Sequence, residues 1–239
     1  MILDTLIVEI TRRCNMRCGH CLRGSAQRVD MPDDFLYKFC LRNRGTYINA
    51  LTISGGEPSL VPNKIQTLLN YLKVYNIKIG AFYLVTNAKR ITSDFVYTLL
   101  DLYDYSLDKE GCGVHYSNDQ YHTDQEALPA TNSVGIEKLK ALSFVSSKGN
   151  ENIRSKYLLR EGRAKEWAGC EAKIYDYEIE DDSITGEFYL NCLGNIIASC
   201  ELSYKSQNKK ENIVCNINDY PFNLLESTKQ FNKRNKGHK

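Results

Sequence analysis

Up to about residue 160, short apolar runs alternate with stretches of helical periodicity, and that alternation leaves the chain few folds to choose from. The runs Leu3 to Ile10, Ala50 to Ser54, Ile79 to Thr86, Gly111 to Ser117 and Ile153 to Leu159 read as strands. Between them Phe35, Leu36, Phe39 and Cys40 fall on one helical face. Val61, Ile65, Leu68, Leu69 and Leu72 mark a second helix, and Phe95, Val96, Leu99 and Leu100 a third. Asp30-Met31-Pro32-Asp33 resembles a helix start, and a looser helix is expected from about Ser133 to Phe144. Strand–helix alternation implies a parallel sheet with right-handed crossovers. Five or six such units curl into an open relative of the closed eight-fold barrel. The expected fold is therefore α/β, a partial (β/α)6 TIM-like open barrel.

Beyond about residue 165 the pattern changes. Ile184 to Cys200 reads as a β-hairpin turning at Leu193-Gly194-Asn195. Phe222, Leu224, Leu225 and Phe231 predict a short amphipathic helix fraying into Lys233-Arg234-Asn235-Lys236. Residues 1–165 are expected to form the barrel core and residues 166–239 a small carboxyl-terminal extension that covers its open side.

Formal net charge is +2, from 31 basic and 29 acidic residues, so no global field points to nucleic acid or to an anionic membrane. Neither is expected as a partner. The apolar start has no basic leader and reads as a strand rather than a signal peptide, and no run approaches the roughly 20 apolar residues that span a bilayer. Nine cysteines without a secretory signal favour metal binding over disulfides and suit a reducing, cytoplasmic compartment.

Cys14, Cys18 and Cys21 lie within eight residues, directly after the first strand, with no fourth cysteine before Cys40. Three thiolates in one loop can hold three irons of a [4Fe-4S] cluster and leave the fourth iron without a protein ligand. In parallel α/β folds the loops at the carboxyl ends of strands open on one rim. That rim would gather the cysteine loop, Gly55-Gly56-Glu57-Pro58, Thr86-Asn87, and Ser117-Asn118-Asp119 with Tyr121-His122. The glycines leave room for close backbone approach, and Glu57 can accept charge-assisted hydrogen bonds from an ammonium group.

The Cys-x3-Cys-x2-Cys loop after a first strand, followed by Gly55-Gly56-Glu57-Pro58 after a second, resembles the radical S-adenosylmethionine (radical SAM) enzyme superfamily. The resemblance spans the order of elements to about residue 165. It implies a [4Fe-4S] cluster on Cys14, Cys18 and Cys21, with S-adenosyl-L-methionine chelating the open iron. It further implies reductive cleavage to methionine and a 5′-deoxyadenosyl radical that abstracts hydrogen. By the same resemblance His20 lies near the adenine, and Gly55, Gly56, Glu57, Pro58, Thr86, Asn87, Ser117, Asp119 and Arg163 contribute to the cofactor site. An oxygen-sensitive protein and an electron donor such as flavodoxin or ferredoxin follow. The substrate class is open, with peptide or protein modification favoured over a small molecule or nucleotide.

Plainer readings stand beside these. Cys14, Cys18, Cys21 and His20 could be a structural zinc site, making the protein a metal-binding interaction module without turnover. His20 sits between two ligands, however, and zinc does not account for the glycine–glutamate loop. Ser117 and Asp119 could simply cap a helix, and His122 could be a surface histidine. Cys170, Cys192, Cys200 and Cys215 are expected to be packing thiols, with an auxiliary cluster as the alternative.

Overall fold

A computed structural model describes residues 1–117, 122, 133–148, 158–166 and 168–236. Among them, nine strands join in one sheet. They are β1 (Ile2–Thr11), β2 (Tyr47–Gly55), β3 (Lys78–Thr86), β4 (Gly113–Ser117), β5 (Val145–Lys148), β6 (Glu178–Glu180), β7 (Ser183–Leu190), β8 (Asn195–Ile197) and β9 (Ile213–Asn216). The sheet order is β5-β4-β3-β2-β1-β7-β8-β9, with β6 against β7. Every pair from β5 through β1 to β7 is parallel, and the pairs beyond β7 are antiparallel. The sheet does not close on itself, as expected for an open barrel.

Helices α1 (Asp33–Arg42), α2 (Pro62–Val74), α3 (Ser93–Tyr105) and α4 (Ser133–Lys140) supply the crossovers, and α5 (Leu224–Lys236) follows β9. The apolar stripes read from sequence are the buried ones: Leu36, Phe39 and Cys40 on α1, Ile65, Leu68, Leu69 and Leu72 on α2, Phe95, Val96 and Leu99 on α3. They pack on Leu6, Val8, Leu51, Ile53, Phe82 and Leu84 of the strands. Each such fully buried side chain contributes about 1.5–3 kcal/mol of transfer free energy. Thr92 caps α3 by accepting the Phe95 N–H at 3.2 Å. Because side chains alternate along a strand, Ile7, Tyr189 and Ile197 point to the opposite face and form a second small cluster with Leu202.

Three sequence expectations are corrected. The fifth parallel strand is Val145–Lys148, and the helix before it ends at Lys140 rather than Phe144. Phe144 lies past the helix end, its ring stacked on Tyr103 with centroids 4.4 Å apart and edge-on to Phe82. Of the run expected as that strand, residues 153–157 lie outside the described residues, and Leu159 makes an isolated bridge to Cys170. β7 lies parallel beside β1, Ile2 opposite Ser183 and Val8 opposite Leu190, so the carboxyl-terminal segment continues the barrel sheet at its β1 edge. Finally, α5 runs on to Lys236 instead of fraying at Lys233, with Phe231 buried against Tyr177 and Arg234 donating to the Ile213 carbonyl at 3.0 Å.

Candidate active site

The carboxyl end of β1 turns into the cysteine loop, and backbone bonds tie off the base of that loop. Arg12 N–H donates to the Val29 carbonyl at 2.7 Å, Gln27 N–H to the Arg12 carbonyl at 2.9 Å, and Met31 N–H to the Ile10 carbonyl at 3.0 Å. Inside the loop, Cys21 N–H donates to the Cys18 carbonyl at 3.2 Å and Gly24 N–H to the Cys21 carbonyl at 3.2 Å.

The segment Gly55-Gly56-Glu57-Pro58 braces this loop from the adjacent strand. Gly56 N–H donates to the Thr11 carbonyl and Glu57 N–H to the Arg13 carbonyl, both at 2.7 Å. A Cβ on Gly55 would stand 2.3 Å from the Thr11 carbonyl oxygen, and one on Gly56 2.2 Å from that of Arg13. Gly55 also holds φ +149°. The glycines are therefore required by the backbone of the cysteine loop itself, a closer demand than the ligand approach expected from sequence.

Glu57 is likewise engaged by the protein. Its carboxylate is buried, and Oε1 accepts from Thr86 Oγ1 at 2.6 Å and from Ser59 N–H at 3.0 Å. Oε2 accepts from Asn87 N–H at 2.7 Å. The side chain thus locks the end of β2 to the end of β3. Asn87 carries the link onward: its Nδ2 donates to Asn15 Oδ1 at 2.8 Å and lies 4.0 Å from the Cys14 sulfur.

These strand ends surround one cavity of about 440 Å³. Cys14, Cys18, Cys21, His20, Gly55, Gly56, Glu57, Pro58, Thr86, Asn87 and Ser117, all named from sequence, line it. Asp119, with Asn118 and Tyr121, lies outside the described residues. His122 also lines the cavity, its ring edge-on to His20 with centroids 5.2 Å apart. Arg163 is placed elsewhere. Its guanidinium donates to the Cys18 carbonyl at 3.2 Å and its N–H to the Cys21 carbonyl at 3.0 Å, so it holds the loop from behind.

The donor set fits a [4Fe-4S] cluster: three thiols open into one cavity and no fourth cysteine lines it. Burial pushes the Cys14 thiol up to about 11, so ligation as a thiolate must release a proton that the bound iron displaces. The other cysteines occupy separate surroundings. Cys192 Sγ donates to the Glu9 carbonyl at 3.1 Å, Cys200 Sγ lies 3.7 Å from the Glu187 carboxylate, and burial pushes Cys40 and Cys215 up to about 12. Among the described residues no group of three or more Cys, His, Asp or Glu side chains is drawn together around a metal position, and this holds for Cys14, Cys18 and Cys21 as for the other cysteines.

Sequence reasoning missed a buried polar layer just upstream of the cysteines. Arg12, 1% exposed, pairs with Glu9, 0% exposed, at 2.6 Å. Arg12 also donates to Gln207 Oε1 at 2.8 Å and lies over the Tyr204 ring. Glu9 accepts from Tyr189 Oη at 2.8 Å and from Cys192 N–H at 3.0 Å. Burial holds the Tyr189 and Tyr204 hydroxyls well above their usual range. A glutamate inside an apolar strand was a readable signal for this layer; its partners near residues 189 and 207 were not.

The family model described as the radical SAM superfamily matches residues 8–140, more than half of the chain. Among solved structures, native anSMEcpe with bound AdoMet and a Cp18Cys peptide superposes with a TM-score of 0.57 at 14% identity, covering 97% of this chain and 82% of that one. Its form with a Kp18Cys peptide gives 0.59 at 13% identity, covering 98% and 82%. SeMet BtrN in an open conformation gives 0.52 at 15% identity, covering 97% and 84%. At such identities the likeness speaks for the fold. No curated protein sequence matches the chain. No helix among the described residues is long and apolar enough to cross a membrane.

Proposed function

The chain belongs to the radical SAM superfamily, and from that membership we propose that Cys14, Cys18 and Cys21 hold its cluster at the mouth of the cavity they line. The protein is a radical SAM enzyme, and its cofactors are a [4Fe-4S] cluster and S-adenosyl-L-methionine. When bound, these supply one-electron reductive cleavage of a carbon–sulfur bond and hydrogen abstraction by a 5′-deoxyadenosyl radical. The chain's own residues bind, orient and shield. The three thiolates fix the cluster, Arg163 and the Gly55–Glu57 backbone hold the loop that carries them, and Glu57 sets the β2 and β3 ends in register. His20, Asn87 and Ser117 offer polar contacts for the cofactor along the cavity wall, while Met16 and Val85 supply apolar wall.

One observation carries the reading: the cysteine loop and the carboxyl ends of β2, β3 and β4 open into the same cavity. The substrate class favoured is a peptide or protein, supported by fold likeness to anSMEcpe, a structure with peptide bound. Asp119 completes this proposed cofactor set, an acidic flavodoxin- or ferredoxin-type donor supplies the electron, and the enzyme works in the reducing cytoplasm. In the same reading the barrel core ends near residue 165 and residues 166–239 cover it.

Anaerobic reconstitution tests the proposal. A brown, oxygen-sensitive protein with about four irons per chain should form 5′-deoxyadenosine from S-adenosyl-L-methionine and dithionite. Cys18→Ala should lose both iron and cleavage. A colourless protein holding one zinc refutes the reading, and about eight irons would restore the auxiliary cluster.

A further inference from the structure

A second cavity, about 600 Å³, lies behind the cysteine loop and shares Arg23 with the wall of the first. That volume is in the range of small-ligand sites. Its lining includes Arg23, Arg160, Arg163, Lys165, Lys205 and Lys209 against two carboxylates, Glu161 and Glu171; Arg23 donates to the Leu202 carbonyl at 2.6 Å over the Tyr189 ring and Arg163 to the Cys18 carbonyl, so Arg160 and the three lysines are the cations left to the cavity. In a chain whose formal net charge is only +2, this is a local concentration of charge.

The two carboxylates offset only part of it, since six cations line the cavity against two anions. Glu161 accepts from Ser203 N–H and from Ser206 Oγ, each at 3.0 Å, and those bonds hold it against the 203–206 turn. Glu171 meets Arg160 at 3.2 Å, but both side chains are open to water, where such a pair is worth about 0–1 kcal/mol. Lys165, Lys205 and Lys209 make no ion pair among the described residues. A cleft lined by one sign of charge focuses its field and concentrates counter-ions. Guanidinium forks and flexible ammonium groups together are the donor set that recognises phosphate oxygens.

We propose that this cavity is a binding site for a small, multiply charged phosphate ligand. The ligand would carry two or more phosphate groups, enough to meet Lys165, Lys205 and Lys209, which make no ion pair among the described residues, together with Arg160. Occupancy does not depend on the iron chemistry of the cysteine loop, so the site stands or falls separately from the enzyme reading. It does adjoin that loop, because Arg163 reaches both the cavity and the Cys18 carbonyl.

Anaerobic calorimetry of the reconstituted protein with inorganic tripolyphosphate tests this. Lys205 and Lys209 are exposed, so Lys205→Ala/Lys209→Ala should fold normally, and Lys229→Ala on α5, outside this cavity, is the control. The expectation is saturable binding, weakened about tenfold in the double variant, unchanged in the control, and weakened again as salt rises. Citrate should bind much less tightly. No binding to the parent protein, an equal loss in the control, no loss in the double variant, or citrate binding as tightly as tripolyphosphate would each overturn the proposal.

Discussion

Gly56 illustrates how much one missing carbon decides. A Cβ there would sit 2.2 Å from the Arg13 carbonyl, whose oxygen also accepts the Glu57 N–H. Gly56→Ala must therefore push the cysteine loop away, at a cost of about 1–3 kcal/mol, visible as a lower urea midpoint together with reduced iron uptake. An unchanged midpoint with full iron would mean the loop yields freely. Glu187 gives a pH signature. Burial raises its carboxyl above the ordinary value of 4.5, against a lowering hydrogen bond from Cys200. A carboxyl that holds its proton more tightly folded than unfolded stabilises fully below the unfolded value, and that stability is lost as pH rises through the folded one. Glu187→Gln, which mimics the protonated form, should flatten the fall in urea midpoint upward from about pH 4.5; parallel curves would refute this.

At the scale of elements, the junction between β1 and the 189–207 segment is polar and buried. Glu9→Gln strips the Arg12 guanidinium of its counter-charge inside the fold, and removing one partner of a buried pair costs about 3–5 kcal/mol. Gln207→Leu removes a neutral bridge between Arg12 and Glu9, leaving donors unsatisfied for about 1–3 kcal/mol. Denaturant titration should rank Glu9→Gln as the more damaging; the reverse order would show that Gln207, not the ion pair, organises the layer. The same elements show why sequence reading was uneven. Helices α1, α2 and α3 were legible because period and length agree. β5 is four residues long, too short for alternation to announce it, and Phe144, read as helical, packs outside the helix on Tyr103.

On the scale of the whole molecule, β7 makes the carboxyl-terminal segment part of the barrel's own sheet. Ending the chain at Lys165 would expose the hydrogen-bonding edge of β1 and uncover Phe188, Leu190 and Ile196 partners in the main core. An open apolar edge strand invites aggregation. The truncated chain should elute as soluble aggregate or fail to express, whereas a monomeric, iron-binding truncation would show that the barrel is self-sufficient.

The sequence by itself determined the class of fold and most of the cavity wall, because both follow from short-range rules. Periodicity sorts strands from helices, and parallel topology sends every β-to-α loop to one rim. Twelve of the rim residues named from sequence, His122 included, line one cavity for that reason. Tertiary structure alone decided what the residues do to one another. Gly55 and Gly56 answer to the backbone of Thr11 and Arg13, Glu57 binds Thr86 and Asn87, and Arg163 turns to the back of the loop. Glu9 and Arg12 meet partners some 180 to 195 positions away. Local pattern carries no record of distance in space, so the contacts that hold the cysteine loop, and the cationic cavity behind it, emerge only when the sheet brings the two ends of the chain together.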